Sequence, residues 1–364
     1  MKYILHIAAK LCIGGAEKVA RDIGLYSDPL QYQNHYIVFE DVAGAYEQQL
    51  VEYGCQVFHV APPSAGYIEY LNFLEELMRK YSYTVVHAHT MFNGGWAMYV
   101  AKRMGVPIRV THAHSALDTN EGLKVKFYEI AMRYWILNCA TDLIACGEKA
   151  GIRLFGEKAY KERAHLILNG INTEEFRFKL ERRREIRKIL GIDDCFVIGH
   201  VGHLAEVKNQ KYLLQLMPQI LKKRSNAKLL LLGEGEDRTM LEQKIVDLSL
   251  ENTVIMTGNV MNVADYLNAM DAFAFPSLYE GMPLSIIEVQ ANGLPCVLST
   301  GVPEDVYLTD LIRPLSLDEP DNWIAAICSC QRNSSEEYAS LLQQSGLDVA
   351  SAMRKIYDLY ERRT

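Results

Sequence analysis

Two glutamates eight positions apart bracket the run Glu280-Gly281-Met282-Pro283-Leu284-Ser285-Ile286-Ile287-Glu288. The segment before it, Ala272-Phe273-Ala274-Phe275-Pro276-Ser277, reads as a short buried strand. Pro283 suits the first turn of a helix, and Asn292-Gly293 is a stop signal. Glu280 is therefore predicted in the loop before the helix, with Glu288 about two turns inside it. The first turn of a helix offers unpaired peptide N–H groups at the positive end of its dipole. Such a place receives a phosphate or pyrophosphate, and Gly281 lets the ligand approach the backbone. Glu288 can accept two hydrogen bonds from a diol such as a ribose. Pyrophosphate and ribose together describe a nucleotide sugar. The competing reading is a solvated loop glutamate and an exposed helix glutamate, the usual fate of that residue.

Other residues point to the same chemistry. Gly14-Gly15-Ala16-Glu17 follows the first expected strand, where two glycines let a ligand oxygen reach backbone N–H groups or serve turn geometry alone. The run from His200 to Asn209 places His203 and Lys208 just past another strand. Lys208 offers a cation to a phosphate, whereas His203 offers an N–H and a charge that is partial near neutral pH. The pairs His87-Ala88-His89 and His112-Ala113-His114 each put two rings on one face of a strand, at its carboxyl end. That spacing could bind a metal, or the first of each pair could be hydrogen-bonded core while the second meets a ligand. Gly233-Glu234-Gly235-Glu236 and Asn259-Val260 fit loops that contact a base, or plain turns. Asp-x-Asp, which holds a divalent ion on a pyrophosphate, does not occur. Helix N-termini and Lys208 are expected to neutralise the pyrophosphate instead, with no metal and no other cofactor.

The segment SLYEGMPLSIIEVQANGLP, with IGGAEKVA and THAHS, resembles the retaining GT-B glycosyltransferases of family 4. The nearest look-alikes are bacterial enzymes of capsule and exopolysaccharide assembly. The resemblance spans nearly the whole chain and is most specific over 196–300. It implies transfer of a hexose or N-acetylhexosamine from a nucleoside-diphosphate sugar, UDP-linked, to a glycan or lipid-linked saccharide. It implies that Gly15, His203, Lys208, Asn259, Val260, Gly281, Met282, Pro283, Leu284, Ser285 and Glu288 bind the donor. His114 and Glu280 are implied to contact the reacting sugar, and Gly14 and His89 to lie on the acceptor side. Retention in this family is explained by same-face attack, the leaving phosphate taking the acceptor's proton. Family members usually have Gly-Arg where this chain has Gly202-His203, and this departure implies a weaker grip on the donor. It also motivates a second reading, an inactive subunit supporting a partner transferase. A third, a nucleotide-sugar epimerase of the same fold, is opposed by EGMPLSIIE.

These residues need a scaffold, and the chain alternates accordingly. Strands are expected over 3–9, 36–39, 56–60, 84–89, 108–112 and 142–146, with helices over 16–26, 68–81, 96–104 and 123–137. A charged helix at 181–190 follows Asn169-Gly170-Ile171-Asn172. The alternation then restarts, with strands over 196–202, 227–232, 254–257 and 296–299 and helices over 210–224, 241–250 and 263–270. Buried apolar strands separated by helices imply parallel, doubly wound sheets. The expected fold is α/β, with two Rossmann-like domains facing a cleft and ligands beyond the carboxyl ends of the strands. Residues 1–175 form the acceptor-side domain, 176–345 the nucleotide-sugar domain, and 346–364 a tail whose amphipathic helix crosses back to the first.

Composition sets limits. The 364 residues suit two domains, and 49% hydrophobic with 23% charged residues is ordinary for a globular chain. The net charge of −7 falls wholly on 173–364, where 28 acidic residues face 21 basic ones. No basic domain exists for a nucleic-acid partner. Eight scattered cysteines without zinc spacing read as reduced thiols in a cytoplasmic protein. Met1-Lys2-Tyr3-Ile4-Leu5-His6-Ile7 reads as a first strand, not a leader, and no apolar run is long enough to cross a membrane. The helix beginning Leu123-Lys124-Val125-Lys126-Phe127-Tyr128, with Arg133, Tyr134 and Trp135, could rest on the inner face of the plasma membrane.

Overall fold

The computed structural model describes residues 1–362 except 13, 116–121 and 333–336. The first sheet holds β1 Lys2–Ile7, β2 Tyr32–Val38, β3 Gln56–His59, β4 Val85–Ala88, β5 Ile108–Ala113, β6 Asp142–Ala145 and β7 Ala164–Leu166. The second holds β8 Phe196–Val201, β9 Ala227–Leu232, β10 Val254–Gly258, β11 Ala272–Phe275, β12 Cys296–Ser299 and β13 Ile312–Leu315. Their orders are β3-β2-β1-β4-β5-β6-β7 and β10-β9-β8-β11-β12-β13, with the neighbouring strands parallel. Both reverse direction once, between β1 and β4 and between β8 and β11. In doubly wound sheets that reversal opens the crevice for a ligand.

The central strands β4, β11 and β12 are buried along their whole length, as helices on both faces of a parallel sheet require. The edge strands β7 and β13, each three or four residues long and only partly buried, carry no apolar run that would announce them. β2 begins at Tyr32, ahead of the apolar stretch, because Asn34 and His35 are buried polar residues with hydrogen-bond partners in the core.

The chain divides into two compact units, Met1–Asn169 with Val349–Thr364, and Gly170–Asp348. Ile171 is fully buried in the second unit, bridges Asp348 and donates its N–H to the Leu347 carbonyl at 2.9 Å. Those contacts draw both chain crossings to positions a few residues outside 175/176 and 345/346. The helix Val349–Glu361 returns to the first unit. Its Val349, Met353, Ile356, Leu359 and Tyr360 pack with Ile4, Val19, Ile23, Val85, Ile108, Val110 and Ile144. The Tyr357 hydroxyl donates to the Ile23 carbonyl at 2.7 Å, and the Tyr360 hydroxyl lies 2.5 Å from His87 Nδ1.

In the second unit a carboxylate organises the start of β8. Asp271 accepts from Arg183 at 2.5 Å, Arg187 at 2.7 Å and the Val197 N–H at 2.8 Å. Arg332 donates to the neighbouring Met270 carbonyl at 2.6 Å, and burial beside Arg183 lowers its pKa to about 9. Removing one partner from such a cluster leaves buried charge uncompensated. Asp271→Ala is expected to cost about 3–5 kcal/mol in urea unfolding; a loss below about 1 kcal/mol, the range of exposed pairs, would contradict this.

Candidate functional site

In the second unit the loops leaving β8 and β11 are tied together at the switch point. Gly202 to Lys208 follow β8, and Asn209 adopts a left-handed conformation with φ 53°. Asn209 Nδ2 donates to the Pro276 carbonyl at 3.2 Å, and the Leu278 N–H donates to the Val207 carbonyl at 2.8 Å. The Glu280 N–H donates to the Gly301 carbonyl at 3.2 Å, fixing the second loop from the other side. Below them, buried His200 places Nδ1 3.0 Å from the Ala274 carbonyl and Nε2 3.2 Å from Gln210 Nε2. Burial lowers the His200 pKa to about 4, so the ring is a neutral spacer between β8 and β11. These contacts bring Lys208 Nζ to 2.6 Å from Glu280 Oε1 and 5.3 Å from the centre of the Phe275 ring. The pair is mostly buried, so the ammonium and the carboxylate hold each other in a medium that screens them weakly. Asn209, Phe275 and His200 are the supports that the sequence reading left unassigned; the positions of Asn209 and His200 beside Lys208 and at the end of β8 were the available signals.

The helix Leu284–Ala291 begins one residue later than expected, with Pro283 as its extended N-cap. Gly281, Met282 and Pro283 therefore precede the helix, and Pro283 has no N–H to give. The Ile286 N–H already donates to the Pro283 carbonyl at 3.1 Å. Leu284 and Ser285 carry the first-turn N–H groups that have no intrahelical acceptor. Glu288 is buried and lies just over one turn inside, not two. A side chain at Gly281 would meet no protein atom within 4 Å, so packing does not demand glycine there. Gly233 differs: its φ is +137° and an added Cβ would lie 2.1 Å from the Gly202 carbonyl oxygen, so that turn serves loop packing. Asn259 is exposed just beyond β10, and Val260 packs on the core. His203 is exposed, with Nε2 2.8 Å from Glu236.

In the first unit, Gly14 is the extended N-cap of the helix Gly15–Leu25, and an added Cβ at Gly15 would meet nothing within 4 Å. His6, His87, His89, His112 and His114 stack at the carboxyl ends of β1, β4 and β5, with neighbouring ring centres 4.0 Å apart for His112–His114 and 4.1 Å for His87–His89. Burial lowers His6 to about 4 and His114 to about 3, and pushes His87, His89 and His112 well below the usual value. His87 is hydrogen-bonded core, through Tyr360, but both ring nitrogens of His112 are buried without a hydrogen-bond partner among the described residues. His89 Nε2 lies 3.4 Å from His6 and its Nδ1 3.0 Å from His114. Two groups, His6–His87–His89 and His89–His112–His114, each gather three nitrogens within 4.8 Å. An ion there would compete with the hydrogen bonds that already engage His6 and His89.

The helix Leu123–Cys139 exposes Leu123, Phe127, Ile130 and Tyr134 at helical spacing, beside exposed Lys124 and Lys126. Arg133 and Trp135 face inward, against expectation. Arg133 donates to the Leu154 and Arg153 carbonyls at 3.0 and 2.8 Å, and Trp135 packs 4.5 Å from Tyr99. Among the described residues no helix is long and apolar enough to cross a membrane.

Two doubly wound sheets with polar loops at their switch points are the architecture of the GT-B fold, and comparisons with known proteins show the chain to be a glycosyltransferase. Residues 182–325 match the family model for glycosyl transferases group 1, and residues 13–175 that for glycosyltransferase family 4. The chain belongs to glycosyltransferase family 4. It is 32% identical over 371 residues, 99% of this chain and 96% of the other, to EpsF of Bacillus subtilis (strain 168), a protein provisionally named as a glycosyltransferase. It is 26% identical over 303 residues, 79% and 77% of the two chains, to the Escherichia coli UDP-Gal:alpha-D-GlcNAc-diphosphoundecaprenol alpha-1,3-galactosyltransferase. In fold it is similar to HepE of Anabaena in complex with UDP-glucose, with TM-score 0.81, 20% identity and coverage of 98% and 99%.

Proposed function

We propose that this glycosyltransferase is retaining. In this reading it transfers a hexose or N-acetylhexosamine from a UDP-sugar to a glycan or lipid-linked saccharide in surface polysaccharide synthesis. The Lys208–Glu280 pair, held beside the helix that carries Glu288, is the observation that carries the reading. The donor pyrophosphate replaces Glu280 as the partner of Lys208 and takes the N–H groups of Leu284 and Ser285. Glu288 accepts both ribose hydroxyls, and Asn259 and Val260 meet the base. Glu280, released from Lys208, orients sugar hydroxyls, and His114 is proposed as a sugar contact of the first unit. Attack comes from the face that the phosphate leaves, and the phosphate takes the acceptor's proton. Lys208 and the helix start supply the neutralising charge, so donor binding needs no divalent ion. EpsF and the galactosyltransferase support the class of acceptor by analogy only.

Calorimetry with UDP-glucose, UDP-galactose, their N-acetyl forms and GDP-mannose tests the reading. One donor is expected to bind selectively, equally well in excess EDTA, and about tenfold or more weakly to Glu288→Ala, the scale of one charge-assisted hydrogen bond. A strict metal requirement, or unchanged affinity in Glu288→Ala, would remove the assignment. The engagement of His203 by Glu236 favours the inactive-subunit reading. Folded protein that binds no donor, with binding restored in His203→Arg, would establish it.

The exposed stripe Leu123, Phe127, Ile130 and Tyr134 with its flanking lysines is proposed to rest on an anionic membrane, from the cytoplasmic side. The protein is expected to co-sediment with phosphatidylglycerol vesicles and to lose most of that binding in Phe127→Ser/Ile130→Ser. Equal recovery of the two proteins in the supernatant would exclude it.

A further inference from the structure

In the second unit the loop after β8 is clasped by the first residue of the helix Gln210–Lys223. Gln210 Nε2 lies 2.8 Å from the His203 carbonyl and 3.2 Å from His200 Nε2. A carbonyl only accepts, so Gln210 must turn its amide nitrogen, not its oxygen, to His203. At the far end His200 Nδ1 faces the Ala274 carbonyl at 3.0 Å, so that nitrogen must carry a proton. Burial, reinforced by the nearby charge of Lys208, disfavours a second proton on the ring. His200 Nε2 is therefore a lone pair, and it accepts the other N–H of Gln210. Two backbone carbonyls thus fix every donor between them. Gln210 Oε1 is buried with no hydrogen-bond partner among the described residues, so these two donated bonds are what orient the amide. Both side chains are buried, which keeps bulk water from replacing either bond. Lys208 runs alongside this contact. A Cβ added at Gly202 would stand 3.3 Å from His200 Nε2 and 3.8 Å from both Cδ and Cε of Lys208. The lysine stem thus passes close to the histidine that Gln210 holds, and its Nζ continues to Glu280 at 2.6 Å.

We infer that His200 and Gln210 are positioning residues for Lys208: the chain from the Ala274 carbonyl through both side chains to the His203 carbonyl sets the loop so that the ammonium meets its anionic partner. That partner is Glu280 before a donor binds and the pyrophosphate afterwards. The second half of this statement rests on the proposed role of Lys208, and the first half does not. The chain requires two N–H donors at position 210, not merely a side chain of that size. Gln210→Glu keeps the shape but sets lone pairs against the His203 carbonyl, and a buried acceptor left unsatisfied is costly. The tautomer of His200 follows the general rule that the bond made by one imidazole nitrogen sets the state of the other.

Nitrogen-15 NMR of the full chain, labelled at histidine and lysine and free of nucleotide, reads both ends of the chain. The His200 signals are assigned by their loss in His200→Gln, and the Lys208 ammonium signal by its loss in Lys208→Ala. The expected wild-type result is a pyrrole-type Nδ1 and a pyridine-type Nε2 on His200. Gln210→Ala and Gln210→Glu are both expected to shift the Lys208 signal; a packing role alone would spare the isosteric Gln210→Glu. A wild-type His200 protonated on Nε2, or a Lys208 signal unmoved in Gln210→Glu, overturns the inference. The wild-type spectrum decides even if neither Gln210 variant folds. Calorimetry with UDP then tests the donor half. Gln210→Glu is expected to bind UDP about three- to tenfold more weakly than wild type, the scale of one hydrogen bond. In the Lys208→Ala background the same change is expected to add no further loss; an equal loss there would show that Gln210 does not act through Lys208. Lys208→Ala that binds UDP as tightly as wild type would remove the donor assignment, while the nucleotide-free spectra would still decide the positioning.

Discussion

Lys208→Ala is expected to lower kcat/KM by about 10²- to 10³-fold, the loss that follows removal of a preorganised donor from developing negative charge. The proposed role of Lys208 is to hold the pyrophosphate as the bond to the sugar breaks, when charge on the phosphate is greatest. Its pairing with Glu280 complicates the experiment, because the variant also leaves a mostly buried carboxylate without its cation. A drop in activity could then reflect a disturbed loop. The double variant Lys208→Ala/Glu280→Gln separates the two effects. Stability should recover, since the orphaned charge is gone. Activity should stay below that of Glu280→Gln alone, since the pyrophosphate still lacks its lysine. Activity equal to that of Glu280→Gln alone would mean that Lys208 serves only to restrain Glu280.

Removal of residues 349–364 is expected to abolish folding of the first unit while the second still melts as a cooperative body. Val349, Met353, Ile356, Leu359 and Tyr360 of that helix are buried against the first sheet. At about 1.5–3 kcal/mol for each large apolar side chain, their loss rivals the roughly 5–15 kcal/mol that stabilises a whole domain. The same deletion removes the Tyr360 hydroxyl from His87 and the Tyr357 hydroxyl from Ile23. Calorimetry should show one transition in place of two, and limited proteolysis should leave a fragment within 170–348. Ile356→Asp should act in the same direction. Two intact transitions in the truncated chain would contradict the packing.

Much of this was legible in the sequence because it is local. The alternation of apolar runs and amphipathic stretches announced the parallel sheets, and Glu280, Lys208 and Glu288 stood out through their setting. What was not legible depends on contacts between distant segments. Lys208 and Glu280 are 72 positions apart, and bonds between the loops, Leu278 N–H to Val207 and Asn209 Nδ2 to Pro276, place them together. The contacts of His89 with His6 and His114 join residues 83 and 25 positions apart, which no local pattern announces. Trp135 and Arg133 turn inward although residue type alone cannot say which side of a half-buried helix does so. β7 and β13 escaped because short edge strands need little apolar character. Pro283 missed by one residue, within the ordinary uncertainty of a helix end.

The return of the last helix to the first unit sets an order of events during synthesis. The face of the first sheet carrying Ile4, Val85, Ile108 and Ile144 is complete in sequence long before its cover, Val349–Glu361, exists. At roughly 5–20 residues per second, the whole of Gly170–Asp348 must emerge in the interval, on the order of ten seconds or more. Throughout that time the nascent chain carries an uncovered apolar surface of the kind that chaperones bind and that seeds aggregation. The unit made first is thus the unit finished last, and a lesion in the final turns of the chain acts at the opposite end of the sequence.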